Sequence, residues 1–134
     1  MNTLNNFNEY PAVTKALDNY VTHPFDYLPK LLLRGTTPTK LARRELIRDM
    51  LKIMVRQMND KLYIVEFDAN EGRHISLIGA KIAAELSIKK RTTAHVLRML
   101  TQVGYLAERH SIYDVNKWPC RRFTLQFFKD LHII

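Results

Sequence analysis

One cysteine in 134 residues leaves no disulfide to form within the chain, so a packed core has to hold the fold together. Glycine and proline are sparse as well, four and five, and they are scattered as punctuation. That excludes a collagenous or low-complexity chain, and no internal repeat or linker tract appears. No apolar run reaches the roughly 20 residues needed to cross a bilayer, and no secretory h-region is found. With the single thiol, Cys120, these absences predict a reducing, cytoplasmic setting and no membrane partner. Acidic side chains are scarce too: 13 Asp and Glu stand against 21 Lys and Arg, a net charge of +8 with a pI near 9.8. What is present in quantity is apolar. At 46% hydrophobic residues, a chain of this length can bury roughly two-thirds of its unfolded surface, enough for one core without a metal or a staple.

The positive excess is clustered. Residues 37–58 carry six basic and two acidic groups and residues 87–122 eight and two, whereas residues 1–36 and 123–134 balance to zero and 59–86 is slightly acidic. A basic excess confined to particular elements points to a polyanionic partner.

Periodicity divides the chain into elements. Ala12 to Val21 places Val13, Ala16, Leu17, Tyr20 and Val21 at helical spacing, with Pro11 suited to a first turn. A second apolar piece, Phe25 to Leu33, is interrupted by Pro29 and ends at Arg34-Gly35. The Asn-rich start, Met1 to Asn8, is expected to fray. Residues 1–36 are therefore read as an N-terminal helical extension ahead of a domain over residues 37–134. Thr37 as N-cap and Pro38 in the first turn open the strongest helix signal, expected over Pro38 to Met58. Leu41, Leu46, Ile47, Met50, Leu51, Met54, Val55 and Met58 make its wide apolar face. Opposite them lie Lys40, Arg43, Arg44, Arg48, Lys52 and Arg56, either a solvated face helped by Glu45 and Asp49 or a set of phosphate contacts; the sequence leaves both open.

At Leu62 the period changes to two: Leu62, Ile64 and Phe67 alternate with Tyr63, Val65 and Glu66 as a short strand. The turn residues Asp68-Ala69-Asn70-Glu71-Gly72 follow, with Arg73 to Ser76 extended beyond them. Ile78 to Leu86 reads as a short helix with Ile78, Ile82, Ala83 and Leu86 on one face. After a break at Ser87-Ile88, Lys89 to Val103 is a second amphipathic helix with Thr93, Val96, Leu97, Leu100 and Val103 inward, capped by Gly104. Two helices joined by about three residues make a helix-turn-helix candidate. Tyr105 to Ile112 and Arg121 to Leu125 flank a polar stretch centred on Asp114 to Pro119, a hairpin with a long tip, which after a helix-turn-helix is a wing. Leu125 to Ile134 is expected to close the fold as a helix capped by Thr124, with Leu125, Phe128, Leu131 and His132 on its face and Phe127 flanking. The fold class expected is mainly α with a small β-hairpin (α+β), a winged helix-turn-helix.

In such an arrangement the second helix enters the major groove and its N-terminal residues meet base edges. Lys89, Lys90, Arg91 and Thr92 crowd that start, Thr93 adds a second hydroxyl, and His95 and Arg98 share the outward side. Cations at a helix N-terminus oppose the macrodipole by a few tenths of a kcal/mol or more. Phosphates or guanine O6 and N7 would compensate, so this local conflict marks a candidate site for double-stranded DNA. The plainer alternatives are a solvated basic turn and an incidental surface histidine. In the hairpin, Arg109, His110, Lys117, Arg121 and Arg122 could reach the backbone or the minor groove, although Arg121 and Arg122, adjacent on a strand, cannot both face the same side. Trp118 beside Pro119 is read as covering the core rather than as a stacking platform, and Tyr105, Tyr113 and Phe123 as core or hairpin residues.

Catalysis is not expected. His23, His74, His95, His110 and His132 show neither the i, i+4 pairing of a helical zinc site nor a metallonuclease cluster, and Cys120 lacks a partner motif. Gly35-Thr-Thr-Pro-Thr-Lys40 lacks the second glycine and the preceding strand of a phosphate loop. No metal and no cofactor are expected.

The stretch Thr92 to Leu106 (TTAHVLRMLTQVGYL) is similar to the general winged-helix pattern, in which the recognition helix ends in a small residue, glycine and two apolar positions. A wider likeness runs through Phe25-Asp26-Tyr27, LARRELIRDML from Leu41 to Leu51, Phe67-Asp68, ELSIKKRTTAHVLRMLTQVGYL from Glu85 to Leu106, Tyr113-Asp114 and the RFTLQFF ending. In that order they resemble the winged-helix part of RepA-type plasmid replication initiators of the IncFII kind, from about Phe25 to Leu131. The resemblance implies a sequence-specific binder of a replication origin that bends or loads that DNA and helps recruit host replication proteins. Lys89 to Val103 would be its reader and Arg109 to Arg122 its wing. Two alternatives stand beside it. One is a small dimeric transcription regulator, in which Ala12 to Val21 or the closing segment could pair two subunits across a palindrome. The other is a winged helix that binds protein, against which the basic 87–122 segment argues.

Overall fold

The apolar spacing of the first periodic segment forms α1, Tyr10–Thr22, with Val13, Leu17 and Tyr20 almost fully buried. The computed structural model describes residues 10–32, 40–115 and 118–134. They form a mixed α+β fold: α1, a 3-10 turn at Pro29–Leu32, α2 (Leu41–Arg56), the hairpin β1 (Val65–Asp68) and β2 (Arg73–Ser76), α3 (Gly79–Leu86), α4 (Lys90–Gln102), the hairpin β3 (Leu106–Arg109) and β4 (Cys120–Phe123), and α5 (Leu125–Asp130).

Helix α2 begins at Leu41, with Lys40 ahead of it and no side-chain cap. Thr37 and Pro38, expected to open this helix, lie outside the described residues. Leu41 is exposed, so the apolar face of α2 starts effectively at Ile47, Met50, Leu51 and Met54. These side chains share one cluster with Val13, Leu17 and Tyr20 of α1, Leu28 and Leu31, Val96 and Leu100 of α4, and the closing aromatics. The boundary expected at residue 36 therefore does not separate an appended helix from a domain; residues 10–32 supply part of the single core.

Asn59 turns the chain after α2: its Oδ1 accepts the Lys61 and Tyr63 N–H groups at 3.0 and 2.9 Å. Leu62 to Ile64 then run beside β4, with Phe123 N donating to Leu62 O at 2.9 Å and Ile64 N to Arg121 O at 3.0 Å. Leu62 and Ile64 point inward as their alternation predicts, but Phe67 is 60% exposed. The chain has by then left the core to enter the β1–β2 hairpin, paired from Val65 with Ser76 to Asp68 with Arg73. The Asp68 to Gly72 turn forms as expected, Asp68 Oδ1 accepting from Asn70 N at 2.8 Å.

Helices α3 and α4 are joined by Ser87, Ile88 and Lys89. Their approach depends on Gly79, where an added Cβ would stand 3.2 Å from Leu97 Cδ1 and 3.6 Å from Thr93 Cγ2. Both helices end in the same way. Ile88 N reaches Ala83 O and Ser87 N reaches Ala84 O; Tyr105 N reaches Leu100 O and Gly104 N reaches Thr101 O. This paired pattern requires a left-handed residue just past the helix, and Ser87 (φ 54) and Gly104 (φ 87) occupy those positions.

Helix α5 closes the core. Phe123 stacks on Phe127 at 4.5 Å between centroids, and Phe127 packs edgewise on Phe128 and Tyr105. Tyr105 donates to Asp130 Oδ2 at 2.6 Å and accepts from Lys30 N at 3.2 Å; burial first, then the bond to Asp130, push its hydroxyl well above the ordinary range. The sequence expectation here needs three corrections. The helix ends at Asp130, and His132, expected on its packed face, is exposed beyond that end at φ 62. Phe127 is fully buried while Leu125 is 52% exposed, because the aromatic stack turns the helix. The Thr124 hydroxyl does not cap α5; it donates to Gly104 O at 2.6 Å.

Candidate nucleic-acid interface

Helix α4 is sharply two-faced. Val96, Leu97 and Leu100 are buried against the core, while Arg91, Ala94, His95 and Arg98 form an exposed stripe at helical spacing. Lys89 and Lys90 are exposed at its start, and its first turn contains no acidic residue. Among the described residues none of Lys89, Lys90, Arg91, His95 and Arg98 makes an ion pair. Thr92 is half-buried and borders the stripe. Thr93 is a correction: it is fully buried, its hydroxyl 3.4 Å from Lys89 O and its methyl toward Gly79, so it seats α4 on α3 and is out of reach of any ligand.

Arg91, Thr92, Ala94, His95 and Arg98 line one groove of about 410 Å³, and its further wall is Arg43 from the first turn of α2. Two helix N-termini that both carry cations, without side-chain caps, are thus brought toward one concavity. Each such terminus presents about half a positive charge from its peptide dipoles, so the groove attracts anions beyond its formal charges.

The other cations of α2, Arg44, Arg48, Lys52 and Arg56, have different occupations. Arg48 lies 3.0 Å from Asp49 and 3.8 Å from Asp18, and Lys52 bonds Asp18 at 2.9 Å. Arg56 grips both oxygens of Glu85 at 3.0 and 2.8 Å, and Arg44 Nε donates to Val21 O at 2.8 Å. These four tie α2 to its own surface, to α1 and to α3. Arg43 is distinguished from them by the groove it faces.

In the second hairpin the two arginines diverge as adjacent strand residues must. Arg122 donates to Lys61 O at 3.0 Å and lies over the Tyr63 ring, 5.8 Å from its centroid, away from α4. Arg121, opposite Glu108 in the ladder, faces α4. It lines a second groove of about 390 Å³ with Ala94, Leu97, Arg98, Thr101, Gln102, Glu108 and Trp118. Burial pulls its basicity below the usual guanidinium value. Arg109 is exposed and makes no ion pair among the described residues. His110 is turned to Asp114, Nδ1 to Oδ2 2.9 Å. Lys117 lies outside the described residues. Ala94 and Arg98 border both grooves, so one band runs from Arg43 across the outer face of α4 to Arg121.

The described residues of the connection from β3 to β4 fold back onto the body of the protein. Asp114 Oδ1 accepts Ser111 N at 3.1 Å and Cys120 N at 2.9 Å, closing the loop on itself. Burial raises the Asp114 carboxyl, but the hydrogen bonds from His110, Cys120 and Ser111 outweigh it and hold the group below the ordinary aspartate value. Ser76 N donates to Tyr113 O at 2.8 Å and Arg73 to Ile112 O at 2.7 Å, docking the loop on β2. Trp118 departs from expectation: it is 76% exposed rather than covering the core.

Sequence reasoning left Arg43 undecided and assigned Trp118 elsewhere. For Arg43 a signal existed, the acid-free first turn of α2, which repeats the pattern that singled out α4. For Trp118 the sequence carries no local signal. No family model, curated protein or solved structure matches the chain. Among the described residues no helix is long and apolar enough to cross a membrane, and no three His, Cys, Asp or Glu side chains are grouped to hold a metal ion.

Proposed function

We propose that this protein binds double-stranded DNA as a winged helix-turn-helix, α3 and α4 forming the helix pair and β3–β4 the wing. The observation that carries the reading is the division of the surface cations. Those on the remainder of α2 are held by Asp18, Asp49, Glu85 and Val21, whereas those along the outer face of α4 have no such counterpart among the described residues. An α-helix of this width fits the major groove, and an arginine in its first turn, Arg91, is placed to meet guanine O6 and N7. Residues 62–64, β4 and β3 lie side by side in that order, an arrangement suited to holding a wing beside the reading helix.

The resemblance over Phe25 to Leu131 carries the proposal one step further, to a non-catalytic initiator that binds a plasmid origin in the cytoplasm and recruits host replication proteins. The test is selection of bound fragments from a genomic library at stated salt, followed by footprinting. Direct repeats beside an A·T-rich region support initiation; a palindrome over a promoter makes the protein a dimeric regulator. No enrichment of any sequence refutes specific binding. On the selected site, Arg91→Ala should relax specificity at one position and cost about 1–3 kcal/mol; equal loss on random DNA would make Arg91 a backbone contact.

A further inference from the structure

An indole is among the most costly side chains to leave in water and among the commonest anchors of macromolecular contacts. Trp118 is nevertheless 76% exposed. Its backbone N–H donates to Val115 O at 3.1 Å, Pro119 follows it, and Cys120 N is fixed to Asp114 Oδ1. The Trp118 backbone and the residues after it are therefore tied, and the ring is presented. It stands at the rim of the groove that Arg98 and Arg121 share, opposite Ala94 and Thr101 of α4. Glu108 is the acidic side chain of that lining, placed across the ladder from Arg121. Ala94, with no more than a methyl group, keeps the passage from this groove to the Arg91–His95–Arg98 stripe open.

Resting on the duplex-binding reading above, we propose that Trp118 is a DNA-contact residue, packing its ring on the sugar and base faces of the strand that borders the groove occupied by α4. A duplex seated on the α4 stripe has a strand leaving across Arg98 toward Arg121, and the indole is the apolar surface that strand meets. Arg98 and Arg121 would hold phosphates on either side while the ring covers the sugar face between them. Packing of this kind is tolerant of sequence, because every nucleotide offers an apolar face. Trp118 would accordingly add affinity and orientation rather than base choice.

The chain contains a single tryptophan, so its fluorescence reports this contact alone. A short fluorescein-labelled duplex of mixed sequence at low salt should bind, as read by anisotropy. An unlabelled copy should quench the indole emission and shield it from acrylamide. Trp118→Ala should weaken binding about tenfold, within the range seen for losing one aromatic platform, without changing the slope of affinity against salt, since no charge is removed. Trp118→Phe should recover most of the loss, and Ile112→Ala, which removes another exposed apolar side chain, should do nothing. Duplex binding with unchanged emission, unchanged acrylamide access and wild-type affinity in Trp118→Ala would overturn the assignment and leave the duplex reading standing. A Trp118→Ala loss that also flattens the salt slope would overturn it as well, showing that the loop and its cations had moved. No duplex binding by the wild-type chain would remove both proposals.

Discussion

Removing one positive charge from α4 and removing one from α2 should have different consequences, and the difference can be worked out in advance. Around the two grooves, and leaving Arg91 to the base edge it is proposed to read, Lys89, Lys90, Arg98, Arg121 and Arg43 have no ion pair among the described residues. If each meets one phosphate, about five condensed counterions leave the DNA, and log affinity falls with log salt at a slope of about −4.5. A fourfold rise in salt then lowers affinity about 500-fold. Arg98→Ala should make the slope shallower by about one and weaken binding to every sequence. Arg56→Ala removes the same formal charge from a chain of net +8, but that guanidinium is closed on Glu85, so both slope and affinity should stay put. Its effect belongs to stability: both partners are about half exposed, and exposed pairs are worth ~0.2–1 kcal/mol. The assay is anisotropy of a labelled duplex at four or more salt concentrations, with urea unfolding alongside. A slope shallower than about −2, or Arg56→Ala tracking Arg98→Ala, would refute the reasoning, because binding would then depend on net charge and not on placement.

Three further outcomes follow from the packing. Ser87 holds φ 54 in a position that glycine occupies without strain, so Ser87→Gly should raise unfolding stability by roughly 0.5–1 kcal/mol with DNA affinity unchanged; a lower denaturant midpoint would count against it. Phe127→Ala should cost about 3–5 kcal/mol by emptying the centre of the Phe123–Phe127–Phe128 stack, read by thermal melting; a loss below about 1 kcal/mol would show that the aromatic cluster is not the keystone of the C-terminal core. Asp114 titrates below its unfolded value, so its contribution is present above about pH 4 and is lost as pH falls through the lower, folded value. The protection factor of the Cys120 amide, which divides out the intrinsic pH dependence of exchange, should fall over that acid range, and Asp114→Asn should make it independent of pH there; a constant protection factor in the wild type would show that the carboxylate does not close the loop.

The helices were legible because α1, α2, α3 and α4 each bury a face at the spacing of three and four, and Gly104 marks an end by its chemistry alone. What the sequence could not reveal depends on partners far along the chain. Lys52 and Asp18 are 34 residues apart and Arg56 and Glu85 29, so nothing local distinguishes those paired cations from Arg43. Helical spacing turns Thr93 inward while its hydroxyl beside the cationic helix start suggests a ligand, and the contact with Gly79 decides for the first. Leu125 and Phe127 exchange places because ring stacking on Phe123 outweighs the simple helical stripe. Phe67 fails for a different reason: counting in twos from Leu62 and Ile64 leads to Glu66, so Phe67 is out of step with them, and the strand has already left the core when it arrives.

The fold itself explains why the cationic helix starts are tolerated. The inward faces of α2 and α4 are fixed by Met50, Leu51, Val96 and Leu100 in one cluster, and α4 is held against α3 through Gly79, Leu97 and Thr93. A few tenths of a kcal/mol of repulsion between dipole and charge is small beside the roughly 1.5–3 kcal/mol gained for each large apolar side chain buried. The core can therefore hold two helix starts in an electrostatic arrangement neither would adopt in isolation. The residual field is directed outward, into the groove between Arg43 and Arg91, and a polyanion seated there, as the proposed duplex would be, relieves it. Strength in the core and unfavourable charge at the rim are thus two sides of one design, and the proposed reading helix is also one the core cannot do without.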